Sequence, residues 1–258
     1  MMWMDRIDHH TQVIAPECQE HYFPGGDRCI LLIHGYTGSP HDMLFLGQRL
    51  HDAGFSVYIP RLPGHGTNHT DFLNSNYHQW LRKVIDAYLN LKRNFSEVYC
   101  CGLSMGGVLT LLLASVFNPK KIALAAPAVK ASNPFIYLTP VIGLFRKRIK
   151  RQITEQYQED YLQKLQNEYW SYDWPTKASD LLKLQQLSKR RLPRVYSDCL
   201  TIVSKSDQTV PVEVLKIIEK GISSEKKEHV ILEKSPHVVV NDIEKVRVSQ
   251  EIINWFSE

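Results

Sequence analysis

Glu97-Val98-Tyr99-Cys100-Cys101-Gly102-Leu103-Ser104-Met105-Gly106-Gly107 runs directly into Val108-Leu109-Thr110-Leu111-Leu112-Leu113-Ala114. A short apolar run with the length of a buried strand meets a glycine-flanked serine, and an apolar helix pattern follows at once. Gly102 to Gly106 has the form G-x-S-x-G, and its two flanks place Ser104 on a tight strand-to-helix turn. Glycine at 102 and 106 removes Cβ atoms that would collide in so sharp a bend. The helix start behind the serine favours developing negative charge. An ordinary glycine-rich loop is the plainer reading, but the strand before and the helix after favour a nucleophile.

The same alternation extends outward from this point. Cys29–Ile33 reads as a strand buried on both faces, a helix is expected from about His41 to Ala53, and Ser56–Ile59 is the next strand. Tyr77–Phe95 reads as a helix with Trp80, Val84, Tyr88 and Leu91 on one stripe. Helix Met105–Phe117 and strand Lys121–Ala126 follow, and after Pro127 the rhythm changes. Strands return at Cys199–Ser204 and His229–Glu233, with helices expected at about Pro211–Lys220 and Asn241–Phe256. Strand–helix alternation implies an α/β fold: a mostly parallel, doubly wound sheet with helices on both faces. Residues 1–126 and 193–258 then form the core, and 127–192 is a helix-rich insertion at the C-terminal edge of the sheet, where open α/β sheets bind ligands.

Composition fits a globular chain of 258 residues, with 43% apolar and 22% charged types. Basic residues exceed acidic ones by 31 to 27, too mild a balance for nucleic acid. The dense basic run Arg146–Arg151 reads as a solvated helix face, with peripheral lipid contact at most. The longest apolar candidate, Pro134–Phe145, is interrupted by Pro140 and Gly143 and is too short for the ~20 residues of a membrane span. Met1–His10 carries Asp5, Arg6 and Asp8 and no apolar signal segment. Five cysteines, two of them adjacent and none in a C-x-x-C pair, imply reduced thiols and a cytoplasmic protein. The sequons at Asn68 and Asn94 would then go unused.

A serine hydroxyl needs a positioned base. In this strand–turn–helix arrangement the acid and the base follow the serine in chain order. Asp207 lies just past strand Cys199–Ser204 and His237 just past strand His229–Glu233, so they are the expected acid and base. Asp198 and His229 sit at strand starts, the wrong end, and Asp242 reads as a cap of the last helix. The oxyanion donors are expected to be the backbone N–H of Met105, after the nucleophile, and that of Tyr36, in the His34-Gly35-Tyr36 loop after the first buried strand. His34 and His65 read as loop-organising partners. No helical His pair supports a metal site with His69, so no metal and no cofactor are expected.

Five stretches now stand in family order: His34-Gly35-Tyr36-Thr37-Gly38-Ser39-Pro40, Arg61-Leu62-Pro63-Gly64-His65-Gly66-Thr67, Gly102–Gly107, Ser206-Asp207-Gln208-Thr209-Val210-Pro211 and Ser235-Pro236-His237-Val238. The chain resembles the bacterial monoacylglycerol lipases and small thermostable carboxylesterases of the α/β-hydrolase superfamily. That resemblance implies an α/β-hydrolase fold whose 127–192 insertion is a small helical cap over an acyl pocket. It implies Ser104 as nucleophile, His237 as base, Asp207 as its orienter, and the Tyr36 and Met105 amides as oxyanion hole. The expected activity is serine carboxylic-ester hydrolysis, on monoacylglycerol or other short-to-medium acyl esters. The apolar and aromatic residues of the insertion, Trp170 and Trp174 among them, point to a small-molecule ester with an apolar acyl or aryl group. Acyl transfer or C–C hydrolysis on the same residues is the chemical alternative, and a non-catalytic binding protein of the same fold is the alternative of another class.

Overall fold

The computed structural model describes residues 14, 16–150, 163 and 171–258. Among these are nine strands: β1 (His21–Phe23), β2 (Arg28–Ile33), β3 (Ser56–Ile59), β4 (Glu97–Leu103), β5 (Lys121–Ala125), β6 (Ile149–Lys150), β7 (Tyr172–Asp173), β8 (Asp198–Ser204) and β9 (Lys227–Leu232). The α-helices are α1 (Leu44–Asp52), α2 (His69–Asn74), α3 (Tyr77–Lys92), α4 (Met105–Phe117), α5 (Thr139–Phe145), α6 (Pro175–Arg191), α7 (Val214–Gly221) and α8 (Lys245–Ser257).

Seven strands form one sheet in the order β1-β3-β2-β4-β5-β8-β9. Every pairing is parallel except that of β1 with β3 at one edge. The continuous apolar runs of β2, β4, β5 and β8 are explained by burial on both faces. Cys29, Leu31 and Ile33 point to one side with Cys100, Ile122 and Val203, while Ile30 and Leu32 point to the other with Cys101, Ala123 and Ile202. Helices α3, α4, α6 and α7 cover the first face; α1 and α8 cover the second. The α3 stripe of Trp80, Val84, Tyr88 and Leu91 is buried as its spacing requires. On α8, Val248, Ile252, Trp255 and Phe256 are buried, each contributing about 1.5–3 kcal/mol relative to exposure.

This is the α/β-hydrolase arrangement expected from the sequence, and its register decides where the loops emerge. Ile33 pairs with Gly102, Leu103 with Ala125, Ala125 with Ile202, and Ser204 with Leu232. The loops after β2, β4, β5, β8 and β9 therefore leave the same edge of the sheet side by side.

Several local expectations need correction. The basic run is no helix face: α5 ends at Phe145, and Ile149–Lys150 pairs with Tyr172–Asp173 as a short antiparallel ribbon. Arg146 already has extended backbone (φ −129°, ψ 119°). Arg151, Trp170 and the Met1–His10 stretch lie outside the described residues. Asp242 does not cap the last helix; that position is taken by Glu244, while the Asp242 carboxylate accepts from the N–H of Ile243 at 2.7 Å. Helix α6, part of the 127–192 segment, buries Leu181, Leu184 and Gln185, and Gln185 Nε2 donates to the Ala128 carbonyl at 2.8 Å. Its inner face is thus core packing.

All five cysteines are free and buried, and burial pushes the Cys29, Cys101 and Cys199 thiols up to about 12. Asn68 accepts from the N–H groups of Thr70 and Asp71 and so caps α2. Among the described residues no helix is long and apolar enough to cross a membrane.

Candidate active site

Ser104 occupies the turn between β4 and α4 with φ +56° and ψ −115°, a backbone conformation that L residues adopt only under constraint. The constraint is visible in its neighbours. A Cβ on Gly102 would stand 2.2 Å from the Gly106 carbonyl oxygen, and one on Gly106 would stand 2.0 Å from that of Ile33. Both glycines are therefore required by close backbone approach. The Ser104 N–H donates to the Ala125 carbonyl at 2.9 Å, which ties the turn to the neighbouring strand.

The hydroxyl does not cap α4. Ser104 Oγ instead lies 2.8 Å from His237 Nε2, and His237 Nδ1 lies 2.8 Å from Asp207 Oδ2. The Asp207 side chain is 1% exposed, and its other oxygen accepts the N–H groups of Thr209 (2.8 Å) and Val210 (3.0 Å). A carboxylate so placed is an acceptor on both oxygens, which puts the imidazole proton on Nδ1 and leaves the Nε2 lone pair facing Ser104. The structure thus brings together three residues spread over 133 positions of sequence.

The two loops that carry Asp207 and His237 are stitched to each other. Ser204 Oγ donates to the Ser235 carbonyl and accepts the Ser206 N–H, and Ser206 Oγ donates to the Glu233 carbonyl at 2.7 Å. From the far side Glu244 accepts the N–H groups of Lys234 and Ser235, both at 2.9 Å, and its own N–H donates to Ser235 Oγ at 3.1 Å. Burial alone would raise the Glu244 carboxyl, but those N–H donors outweigh it and hold it below the usual carboxylate range. Ser204, Ser235 and Glu244 escaped the sequence reading because nothing local marks a bond between residues nine or thirty-one apart.

Met105 is the first residue of α4, so its N–H belongs to the unpaired group at a helix start. Gly35 passes close to the serine: a Cβ there would be 3.2 Å from Ser104 Cβ. The next residue, Tyr36, turns its ring away onto Phe72 and Trp80 (centroids 5.6 and 6.4 Å) and donates its hydroxyl to the Trp174 carbonyl at 3.4 Å. Trp174 in turn stacks on His69 at 5.8 Å.

His34 and His65 organise the loops behind this site. His34 Nδ1 donates to the Gly35 carbonyl (3.0 Å), and its Nε2 accepts the Leu62 N–H (3.1 Å). His65 Nδ1 donates to the Pro63 carbonyl (3.0 Å), and the ring packs edge-on against Phe72 and Trp80. Among the described residues no group of three His, Cys, Asp or Glu is placed to hold a metal ion.

Burial lowers both rings, His34 well below its ordinary value and His65 to about 4. Unfolded, each titrates near ~6.5. Above that pH both states are neutral and the rings add nothing to the pH dependence. As pH falls from about 6.5 toward 4 the unfolded chain binds protons that the folded chain refuses, and stability drops by up to about 1.4 kcal/mol per pH unit for each ring. The urea midpoint should fall steeply across that window, and His65→Gln should make the slope shallower. An unchanged slope would mean that the rings are not held neutral.

The sequence profile of the alpha/beta hydrolase family matches residues 30–244. A thermostable monoacylglycerol lipase of Bacillus sp. (strain H-257) is 32% identical over 240 residues, covering 92% of this chain and 93% of that protein. A carboxylesterase of Bacillus subtilis (strain 168) is 28% identical over 243 residues, covering 92% and 95%. Among solved structures, one from work on the metagenome-derived lipolytic enzymes LipS and LipT superposes with a TM-score of 0.85 at 26% identity, covering 95% of this chain and 99% of that one. The monoacylglycerol lipase of Paleococcus ferrophilus shares the fold, with a TM-score of 0.73 at 16% identity and coverage of 92% and 96%.

Proposed function

The chain belongs to the alpha/beta hydrolase family and is a carboxylesterase-type hydrolase, and from that premise we propose that it cleaves monoacylglycerol or other short-to-medium acyl esters through Ser104, His237 and Asp207 and a covalent acyl-enzyme. The observation that carries this reading is the unbroken relay of 2.8 Å contacts from Ser104 Oγ through both ring nitrogens of His237 to the buried Asp207 carboxylate. In it, His237 Nε2 takes the serine proton as Oγ attacks the ester carbonyl. The amides of Tyr36 and Met105 hold the tetrahedral oxyanion, His237 protonates the leaving alcohol, and water activated by the same ring releases the acid. Asp207 keeps the ring in the tautomer that leaves Nε2 free. The buried thiols are consistent with a cytoplasmic enzyme.

A fluorophosphonate probe should label the chain at Ser104 and abolish hydrolysis of p-nitrophenyl esters and monoacylglycerols. Failure to label would favour a non-catalytic binding protein. Stoichiometric free acid in water separates hydrolysis from acyl transfer. Because no step of this reading uses a metal ion, EDTA should have no effect. Strong inhibition by EDTA contradicts the mechanism.

In this reading the segment 127–192 acts as a cap that sets acyl-chain choice. Ile136 packs inward against the core cluster that holds Met105, whereas Leu144 is 78% exposed and faces away. Ile136→Ala should therefore shift the preferred acyl length and Leu144→Ala should not, with circular dichroism unchanged in both. Equal shifts for both, or none for either, would remove the cap from specificity.

A further inference from the structure

Ala126, like Ser104, has a positive φ, +44°, and it is fully buried at the end of β5. An L residue keeps that conformation only where its surroundings hold it. The turn that Ala126 opens folds back on Ser104. The Ala126 N–H donates to the Ile202 carbonyl at 2.8 Å, and the Val129 N–H donates to the Pro127 carbonyl at 2.8 Å. Between them the Ala128 N–H donates to the Ser104 carbonyl at 3.1 Å. That carbonyl also accepts the N–H groups of Gly107 (3.0 Å) and Val108 (3.3 Å) within the first turn of α4, whereas the Ala128 bond reaches it from outside the helix.

The Ser104 carbonyl and the Met105 N–H belong to one planar peptide unit, so whatever fixes the oxygen also fixes the direction of the N–H. Donors on that oxygen polarise the unit and strengthen the N–H as a donor. Ala128 is itself held from α6: its carbonyl accepts from Gln185 Nε2 at 2.8 Å. Gln185 is 1% exposed, and its Oε1 has no partner among the described residues. Burying an amide with its oxygen unpaired is costly, and an apolar side chain of the same length would suit the face that buries Leu181 and Leu184. What the amide adds is the bond to Ala128. We propose that Gln185 is a positioning residue for the oxyanion hole: through Ala128 it fixes the Ser104–Met105 peptide and aims the Met105 N–H. This rests on the ester-hydrolase reading above, in which that N–H is an oxyanion donor. Because α6 lies in the 127–192 segment, that segment then reaches the reacting centre through the backbone as well as through acyl choice.

Gln185→Met keeps the length and the burial but cannot donate. It should lower kcat on p-nitrophenyl esters about ten- to thirtyfold, short of the 10²–10³ that follows from losing a donor outright, with KM within about twofold. Gln185→Asn keeps the amide but is one methylene short of Ala128, and it should lose as much. Leu184→Ala removes packing from the same face of α6; it should lower Tm and leave kcat within about twofold. In protein labelled with 15N-methionine, the Met105 amide resonance, assigned by its loss in Met105→Leu, should move in both Gln185 variants and stay in place in Leu184→Ala. The resonance is recorded without substrate. An unmodified protein that hydrolyses no ester overturns the ester reading, while the resonance still decides whether Gln185 places the Met105 amide. Unchanged kcat or an unmoved resonance in the Gln185 variants, a loss carried by KM, or an equal loss of kcat in Leu184→Ala overturns the proposal.

Discussion

Ser104→Ala and His237→Ala should each lower kcat/KM by about 10⁴–10⁶, and the double variant should be hardly worse than either alone. The geometry is the reason. Once Oγ is gone, the Nε2 lone pair 2.8 Å away has no proton to take; once the ring is gone, Oγ keeps its proton. Each loss disables the same step, so the two do not multiply. Asp207→Asn should cost about 10⁴, because an amide donor opposite Nδ1 favours the other tautomer and puts a proton between Nε2 and the serine. Active-site titration and steady-state kinetics on the four proteins check this. A double variant that loses the product of the two single factors would show that the residues act separately.

The second large effect belongs to a backbone atom. Replacing the Tyr36 amide by an ester through chemical synthesis should lower kcat by about 10²–10³, some 3–4 kcal/mol, with KM little changed. The oxyanion exists only in the transition state, so losing a donor to it leaves ground-state binding intact. Tyr36→Phe should cost less than about tenfold, because the phenol is directed at the Trp174 carbonyl and the ring packs on Phe72 and Trp80. A Phe variant as damaged as the ester variant would make the hydroxyl a donor to substrate, and the assignment of the hole would be wrong.

Elements whose causes lie within a few residues were legible in the chain. Strand Ser56–Ile59 and helix Met105–Phe117 have the bounds their patterns predict, and the glycines around Ser104 stand where the backbone passes within touching distance of itself. Those features depend on sterics and periodicity, which are local. Edges were less legible. Strand β1 is three residues long and half exposed, too short to show a period. The β6–β7 ribbon joins two-residue segments more than twenty positions apart, so the basic run that begins it looked like the continuation of a helix.

Sequence alone determined the layered α/β fold and the side of the sheet from which the loops bearing Ser104, Asp207 and His237 leave. Tertiary structure decided the distances. Parallel register across β4, β5, β8 and β9 sets the loops side by side, and the bonds of Ser204, Ser235 and Glu244 hold two of them at a fixed separation. It also decided that Glu244 rather than Asp242 begins the last helix, and that Ile136 of the 3-10 turn Pro134–Leu138 and Gly143 of α5 face inward while Leu144 and Phe145 face out. A chain pattern states which side chains prefer burial. Which of two apolar faces is covered depends on the partner that folding brings against it, here α6, about thirty residues further along the chain.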